Sequence, residues 1–198
     1  MKNELVLCIE KSKCPVSDKV VTPYSLDEVN KSILKYENLW FIPRAVAETD
    51  ERFLQVIPYV VVKQGGEILT YQRPSKNTDD RLSSKWSIGV GGHINLTDHS
   101  EDNLGAVIIN AAARELKEEF NIWKVDSFED RAALLFDSSD AVGRVHLGIV
   151  LYFDLPLEAT IEPDPREISN YVFYTEGELR QAQGTLNLES WSKHIINS

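Results

Sequence analysis

"ARELKEEFNI", residues 113–122, places three glutamates within five positions: Glu115, Glu118 and Glu119. A helix gains from a Lys four residues after a Glu, whereas like charges three or four apart cost it a few tenths of a kcal/mol each. Glu115 meets another Glu at both distances. On a wheel of roughly 100° per residue, residues 107–120 bring Ile109, Ala112, Ala113, Leu116 and Phe120 to one side, which predicts a helix with a core-facing stripe. The glutamates fill an arc of about 100° beside that stripe. One turn earlier the same arc carries Ala111, small enough to leave a ligand room; Arg114 flanks the arc and Lys117 points away.

Two readings compete. A solvated helix face uses Glu because it is a good helix former. Alternatively, carboxylates at i, i+3 and i+4 tolerate one another because a divalent cation sits between them. Mg²⁺ takes oxygen ligands in octahedral geometry and keeps several waters or phosphate oxygens. The upstream text favours the cation. Gly91 and Gly92 close a β-rich run, "KWSIGVGGH", and precede the loop that feeds the helix. Glycines there let the backbone approach an ion or phosphate closely. A plain tight turn is the alternative for the pair.

Moving outward, "VIPYVVVKQGGEILTYQRP" is two β-rich runs around "QGGE", a hairpin signal. Pro58 fits a strand start or edge position. Residues 94–106 are polar and turn-rich and read as a loop. After the acidic helix, "ALLFDSS", "VHLGIVLYFDLP" and "SNYVFY" read as strands, "TEGELRQAQ" as a helix with a Thr cap, and "LESWSKHII" as a closing helix. Before residue 50, "ELVLCIE" reads as a short strand and "YSLDEVNKSILKYENLW" as a helix with Ser25 and Glu28 as a capping box. "FIPRAVAETDERF" reads as a connector. Residues 1–50 are thus expected to be an N-terminal extension with one helix, and residues 51–198 the main domain. Its class is mixed α/β (α+β), with a mixed sheet covered on both faces.

The bulk numbers bound the function classes. The chain has 198 residues, 42% hydrophobic and 26% charged, an ordinary composition for a folded domain. Its formal charge of −10 argues against extended nucleic-acid binding, which needs basic patches. Only Cys8 and Cys14 occur, so a disulfide scaffold is not expected and a reducing cytoplasm is. The apolar run at the N-terminus, Leu5 to Ile9, is too short for a signal-peptide core, and no stretch approaches a membrane span.

Together, "WSIGVGGH" and "AARELKEEFNI" resemble the Nudix hydrolase superfamily, whose signature is G-x5-E-x7-R-E-U-x-E-E-x-G-U with U aliphatic. Arg114, Glu115, Leu116, Glu118, Glu119 and Ile122 match its second half, and "EILTYQRP" resembles the family's second hairpin strand. The resemblance covers roughly residues 55–180 and implies a Nudix-type α/β/α sandwich with a mixed sheet. Two departures stand out. Gly92 to Arg114 spans 22 positions against 14 in the signature, so eight residues are extra and the loop glutamate has no assigned counterpart. Counting forward from Gly92 reaches Asp98, counting back from Arg114 reaches Ala106, and Glu101 or Asp102 are further candidates. The late glycine is Asn121, at a helix end where a left-handed residue is usual and Asn is the best substitute for Gly. Val90 stands where the family often has Pro.

What the resemblance implies is Mg²⁺- or Mn²⁺-dependent hydrolysis of a diphosphate linkage, usually in a nucleoside diphosphate derivative. It makes Glu118 and Glu119 metal ligands and Glu115 either a ligand or the residue that positions the attacking water. Arg114 becomes a partner orienting the glutamates, and the Gly91 carbonyl a further ligand. Glu167, in "DPREISN", is the candidate general base, against the plainer reading of an exposed loop carboxylate. Arg73, Lys76 and His93 are candidates for contact with the anionic substrate; surface charge and a satisfied turn histidine are their plainer readings. Tyr59, Tyr71 and Phe153 read as core strand residues, and Trp191 as the residue pinning the last helix. The expected partner is a phosphorylated small molecule, with no membrane, and a homodimer is left open. The alternatives are a non-catalytic Nudix-like module binding a nucleotide ligand, and an isomerase resembling the Nudix-fold isopentenyl diphosphate isomerases. The latter use a cysteine within the core, whereas Cys8 and Cys14 precede it.

Overall fold

The computed structural model describes residues 4–75, 83–100 and 103–198. The longest strand organises it. β4 (Phe53–Gln64) carries the β-branched run Val60–Val62, and its side chains alternate between two buried faces. Val56, Val60 and Val62 enter one core; Tyr59 and Val61 enter the other. β5 (Glu67–Gln72) returns antiparallel to β4 through Gly65 and Gly66, at φ +61° and +86°, as the "QGGE" signal predicts. β9 (His146–Asp154) pairs with β4 in parallel over nine positions, which makes the sheet mixed.

Among the described residues ten strands form one sheet. Its main path runs β10 (Asn170–Tyr174), β5, β4, β9, β8 (Ala132–Phe136), β2 (Val20–Tyr24). β1 (Leu5–Glu10) pairs with both β3 (Leu39–Pro43) and β4, while β6 (Trp86–Ser87) joins β5 and β7 (Gly89–Gly91) joins β4. The segment before residue 50 therefore supplies three strands of this sheet besides its helix. That helix is shorter than its pattern predicts. The Ser25–Glu28 capping box forms as expected, but α1 spans only Leu26–Glu28 and passes into a single π turn, Val29–Ile33. The expected connector holds the end of β3 and α2 (Arg44–Ala47).

Pro58 is at neither a strand start nor an edge. It stands mid-strand opposite Ile149, and its carbonyl points towards Gly91 of β7. A residue's N–H and C=O point the same way in a strand, so the missing N–H falls between the stretches of β4 that pair with β1 (Phe53–Gln55) and β7 (Tyr59–Val61). No rung of the β4–β9 ladder is lost.

α3 (Leu104–Phe120) covers one face of the sheet; α4 (Glu176–Ala182) and α5 (Ser190–Ile196) contribute Leu179 and Ile196 to the core on the other. α3 begins three residues before the end of the expected loop because Asn103 caps it, its side-chain oxygen accepting the Ala106 N–H at 2.8 Å. Its buried stripe is also rotated from the predicted one. Ile108 and Ala111 are fully buried, while Ile109 and Ala113 sit at the edge. The reason is tertiary: Val29 and Leu34, from the segment before residue 50, share the core that α3 packs into. Ala111 thus packs inward instead of leaving space for a ligand. Asn121 ends the helix at φ 55°, ψ 29°, the left-handed conformation expected of it. Tyr59, Tyr71 and Phe153 are all buried, and Trp191 meets Tyr59 edge-on at 5.5 Å.

Candidate active site

The last turns of α3 face the end of β7, and Arg114 ties them together. Its Nε and Nη2 donate to the two carboxylate oxygens of Asp98, each at 2.9 Å, and Nη2 also donates to the His93 carbonyl at 2.8 Å. Nη1 donates to Glu115 Oε1 at 2.5 Å and Glu118 Oε2 at 3.3 Å. Burial opposes the guanidinium's charge, but Asp98 and Glu115 outweigh it and raise its pKa. Arg114 therefore orients Glu115 and Glu118 while fastening the loop to the helix.

Of the loop carboxylates the sequence left open, Asp98 is the described one, and it meets Arg114. It ends a 3₁₀ turn, Leu96–Asp98, is only 3% exposed, and accepts the Asn95 N–H as well as both Arg114 bonds. The forward count from Gly92 is the one that meets Arg114. The backward count reaches Ala106, which has no group to offer, and Glu101 and Asp102 lie outside the described residues. All eight extra residues fall after Asp98, where they are taken up by a short link and by ten residues of α3 ahead of Arg114.

The three glutamates meet different surroundings. Glu118 is open to solvent, its side chain 57% exposed. Glu115 lies against Gly92 so closely that a Cβ there would stand 2.3 Å from its carboxyl carbon, so any side chain at 92 would push this carboxylate aside. Burial raises its pKa, Arg114 opposes the rise, and Glu118 and Asp98 add to it. Glu119 is the extreme case. It is 8% exposed, its Oε2 has no hydrogen-bond partner, and burial pushes it up to about 8. Arg73 opposes that shift; Glu115, Glu167 and Glu189 reinforce it.

Arg73 is brought beside this face, as its candidacy requires. Its side chain is largely buried, Nε donates to Glu189 Oε1 at 2.8 Å, and Nη2 donates to the Tyr71 hydroxyl at 3.3 Å. Glu189 was not singled out by the sequence. It precedes α5 in a polar stretch, and the pairing of residues 187–189 with Trp86, including the bond from the Glu189 N–H to the Trp86 carbonyl, 2.9 Å, brings it here. His93 turns its ring inward. Burial, followed by Arg44, lowers its pKa to about 3, and its Nε2 is buried without a partner. Glu167 is exposed, on a loop whose Asp164 N–H bonds the Glu119 carbonyl at 2.8 Å. Lys76 lies outside the described residues.

Beside Gly91, Gly92 and Arg73 opens a cavity of 340 Å³, walled also by α2, His146 and Trp191. Among the described residues no three His, Cys, Asp or Glu side chains already form a metal cage. The donor set nevertheless fits a hard divalent cation. A desolvated carboxylate with an orphaned oxygen is the group such a cation stabilises most, and Mg²⁺ takes its remaining oxygens from water and phosphate.

A family model described as the NUDIX domain matches residues 52–195. Protein YmaB of Bacillus subtilis (strain 168) is 34% identical over 159 residues, covering 78% of this chain and 75% of YmaB. The crystal structure of Tm1382, described there as a proposed Nudix hydrolase, superposes with a TM-score of 0.71 at 22% identity, covering 98% of this chain and 97% of that one. DR0079 of Deinococcus radiodurans gives 0.51 at 17% identity over 83% and 94% of the two chains. The sandwich and its mixed sheet are shared with these neighbours, and Nudix hydrolases generally use divalent metals. The chain belongs to the Nudix family.

Proposed function

We propose that the protein hydrolyses a diphosphate linkage in a nucleoside diphosphate derivative or a related phosphorylated small molecule, with Mg²⁺ or Mn²⁺ as cofactor. The observation that carries this is Glu119: a buried carboxylate with an unpartnered oxygen, crowded by other carboxylates, is a group that a bound cation would satisfy. Glu118, Glu119, the Gly91 carbonyl and Glu115 are the groups that would hold the metal. When bound, it supplies charge neutralisation at the phosphoryl oxygens and lowers the pKa of a water.

The chain's own residues do the rest. Arg114 takes one oxygen of Glu115 and so fixes where the other points. Arg73, braced by Glu189, presents its remaining donors to a phosphate oxygen. His93, neutral at physiological pH, contributes a hydrogen bond without charge. Glu167 is the candidate to accept the proton of the attacking water, on a loop fastened to the end of α3. Free Cys8 and Cys14 agree with a reducing cytoplasm as the working compartment. The isomerase alternative lacks a cysteine at the site: Cys8 is buried beside α2, and burial pushes its thiol up to about 12.

The test is a panel of nucleoside triphosphates, nucleotide sugars, dinucleoside polyphosphates and cofactor diphosphates with Mg²⁺ or Mn²⁺, scored by phosphate-containing products. Two phosphorylated products from at least one class, lost on chelation, are expected. Silence across the panel with both metals would overturn the proposal.

A further inference from the structure

The acidic face explains where a diphosphate is cut but not what is attached to it. The 340 Å³ cavity adjoins that face through Gly91 and Gly92, and Gly92 is the residue on which the Glu115 carboxylate rests. Arg73 stands at the same boundary. A substrate whose diphosphate lies over Glu115 and Glu119 has its far group directed across the glycines into this space. One wall, Arg44 and Glu48, lies ahead of residue 52, where the family match begins. The cavity is therefore built partly by residues outside the family match.

Its charges are already balanced. Arg44 donates to Glu4 at 3.0 Å and to Glu48 at 2.8 Å, and Arg73 donates to Glu189 at 2.8 Å. Asp140 also lines the cavity, its Oδ1 accepting the N–H groups of Val142 and Gly143 at 3.0 and 2.8 Å. Both lining guanidinium groups thus have carboxylate partners, and the lining carboxylates outnumber them by three to two. With Arg73 given to the scissile diphosphate and Arg44 held between two carboxylates, a further terminal phosphate meets net negative charge on this wall.

Neutral polar and apolar surface is what remains. The His93 and His146 rings line it, and His146 has its Nδ1 fixed 2.6 Å from the Val142 carbonyl, leaving its other nitrogen. Ile57, Val142 and Trp191 supply apolar wall. Small-molecule pockets span about 300–1,000 Å³, mostly apolar with a few placed polar groups, and this one is at the small end. It has room for a sugar- or ring-sized group.

We propose that this cavity receives the group beyond the scissile diphosphate, and that it takes an uncharged, hydroxyl-bearing or heterocyclic group in preference to a further phosphate. The inference rests on the diphosphate-hydrolysis reading above. To test it, the nucleoside half is held constant, and the Mg²⁺-loaded enzyme is given ADP capped by a neutral hexose or, separately, ATP. A kcat/KM at least tenfold higher for the capped substrate is expected; equal or higher kcat/KM for ATP overturns the proposal. Glu48→Lys frees Arg44 on one side and adds a cation, and should shift that ratio about tenfold towards ATP while Glu48→Gln shifts it less. Val142→Phe should raise KM for the capped substrate and leave KM for methyl-capped ADP unchanged. An unaltered ratio in Glu48→Lys and unaltered KM in Val142→Phe, both with wild-type melting curves, would also overturn it. If neither substrate is hydrolysed, the failure belongs to the reading it rests on. Calorimetric Kd values for the two methylene-bridged, non-hydrolysable analogues then judge the cavity alone, tighter capped-analogue binding supporting it and tighter ATP-analogue binding refuting it.

Discussion

Two neighbouring turns of α3 use the same residue types to opposite ends. Around Arg114 the charges are paired: Asp98 is held at both oxygens, and Glu115 and Glu118 each accept from the same guanidinium. One turn on, Glu119 is buried with an oxygen that nothing reaches. A paired cluster holds the loop against the helix and fixes directions. An unpaired buried carboxylate costs stability and is kept only where something else supplies the missing charge. The difference separates the part of the signature that builds the site from the part that works in it.

The strongest way to break that comparison is Glu119→Gln. Loss of one metal-holding carboxylate removes several kcal/mol of transition-state stabilisation, so turnover should fall by about 10²–10³-fold. The amide should melt no lower than wild type at pH 8 without metal. Activity within threefold of wild type would show that the two turns do not differ chemically.

Asp98→Ala attacks the paired side. It removes the bidentate partner of Arg114, which keeps Glu115 and Glu118, at a cost of about 1.5–3 kcal/mol. Urea unfolding should show this as a lower midpoint. A loss below about 1 kcal/mol would mean that the loop is not fastened where the hydrogen bonds place it.

The third prediction concerns pH. Glu119 titrates near 4.5 when unfolded and at about 8 in the native protein, so between those values the native state holds the extra proton. The contribution is therefore fully present below about 4.5 and is lost as pH rises towards about 8. Metal-free protein should melt at lower temperature at pH 8 than at pH 6. Mg²⁺ should recover the stability lost at pH 8 and so remove the difference, and Glu119→Gln should flatten it. The slope limit for one group is about 1.4 kcal/mol per pH unit.

The smallest effect tests the end of the helix. Asn121→Ala should cost about 1–2 kcal/mol, because Asn121 sits at φ 55°. Asn121→Gly relieves the backbone but loses the bond from Asn121 Nδ2 to Glu162 Oε2, 2.8 Å, and should stay within about 0.5 kcal/mol of wild type.

Much of this was legible in the residues. The hairpin was written in Gly65 and Gly66, the helix end in Asn121, and the acidic face in Glu115, Glu118 and Glu119, because each is a local property of a few neighbouring positions. The length of α1 was not, since its capping box is local but the π turn after it forms where Val29 and Leu34 meet α3. Pro58 misled for the same reason: whether a strand position needs its N–H depends on which strands lie alongside.

The sequence by itself determined the family signature, the register of the glutamates and the ions they invite, because helical spacing is set by the backbone. Only the tertiary structure decided which of those glutamates is desolvated, that Asp98 is the carboxylate facing Arg114, and that Glu189 stands beside Arg73. Glu189 is 116 positions from Arg73. Burial and charge pairing are sums over everything packed nearby, and those neighbours come from β5, β7, α2 and the start of α5, elements that meet only when the sheet is assembled.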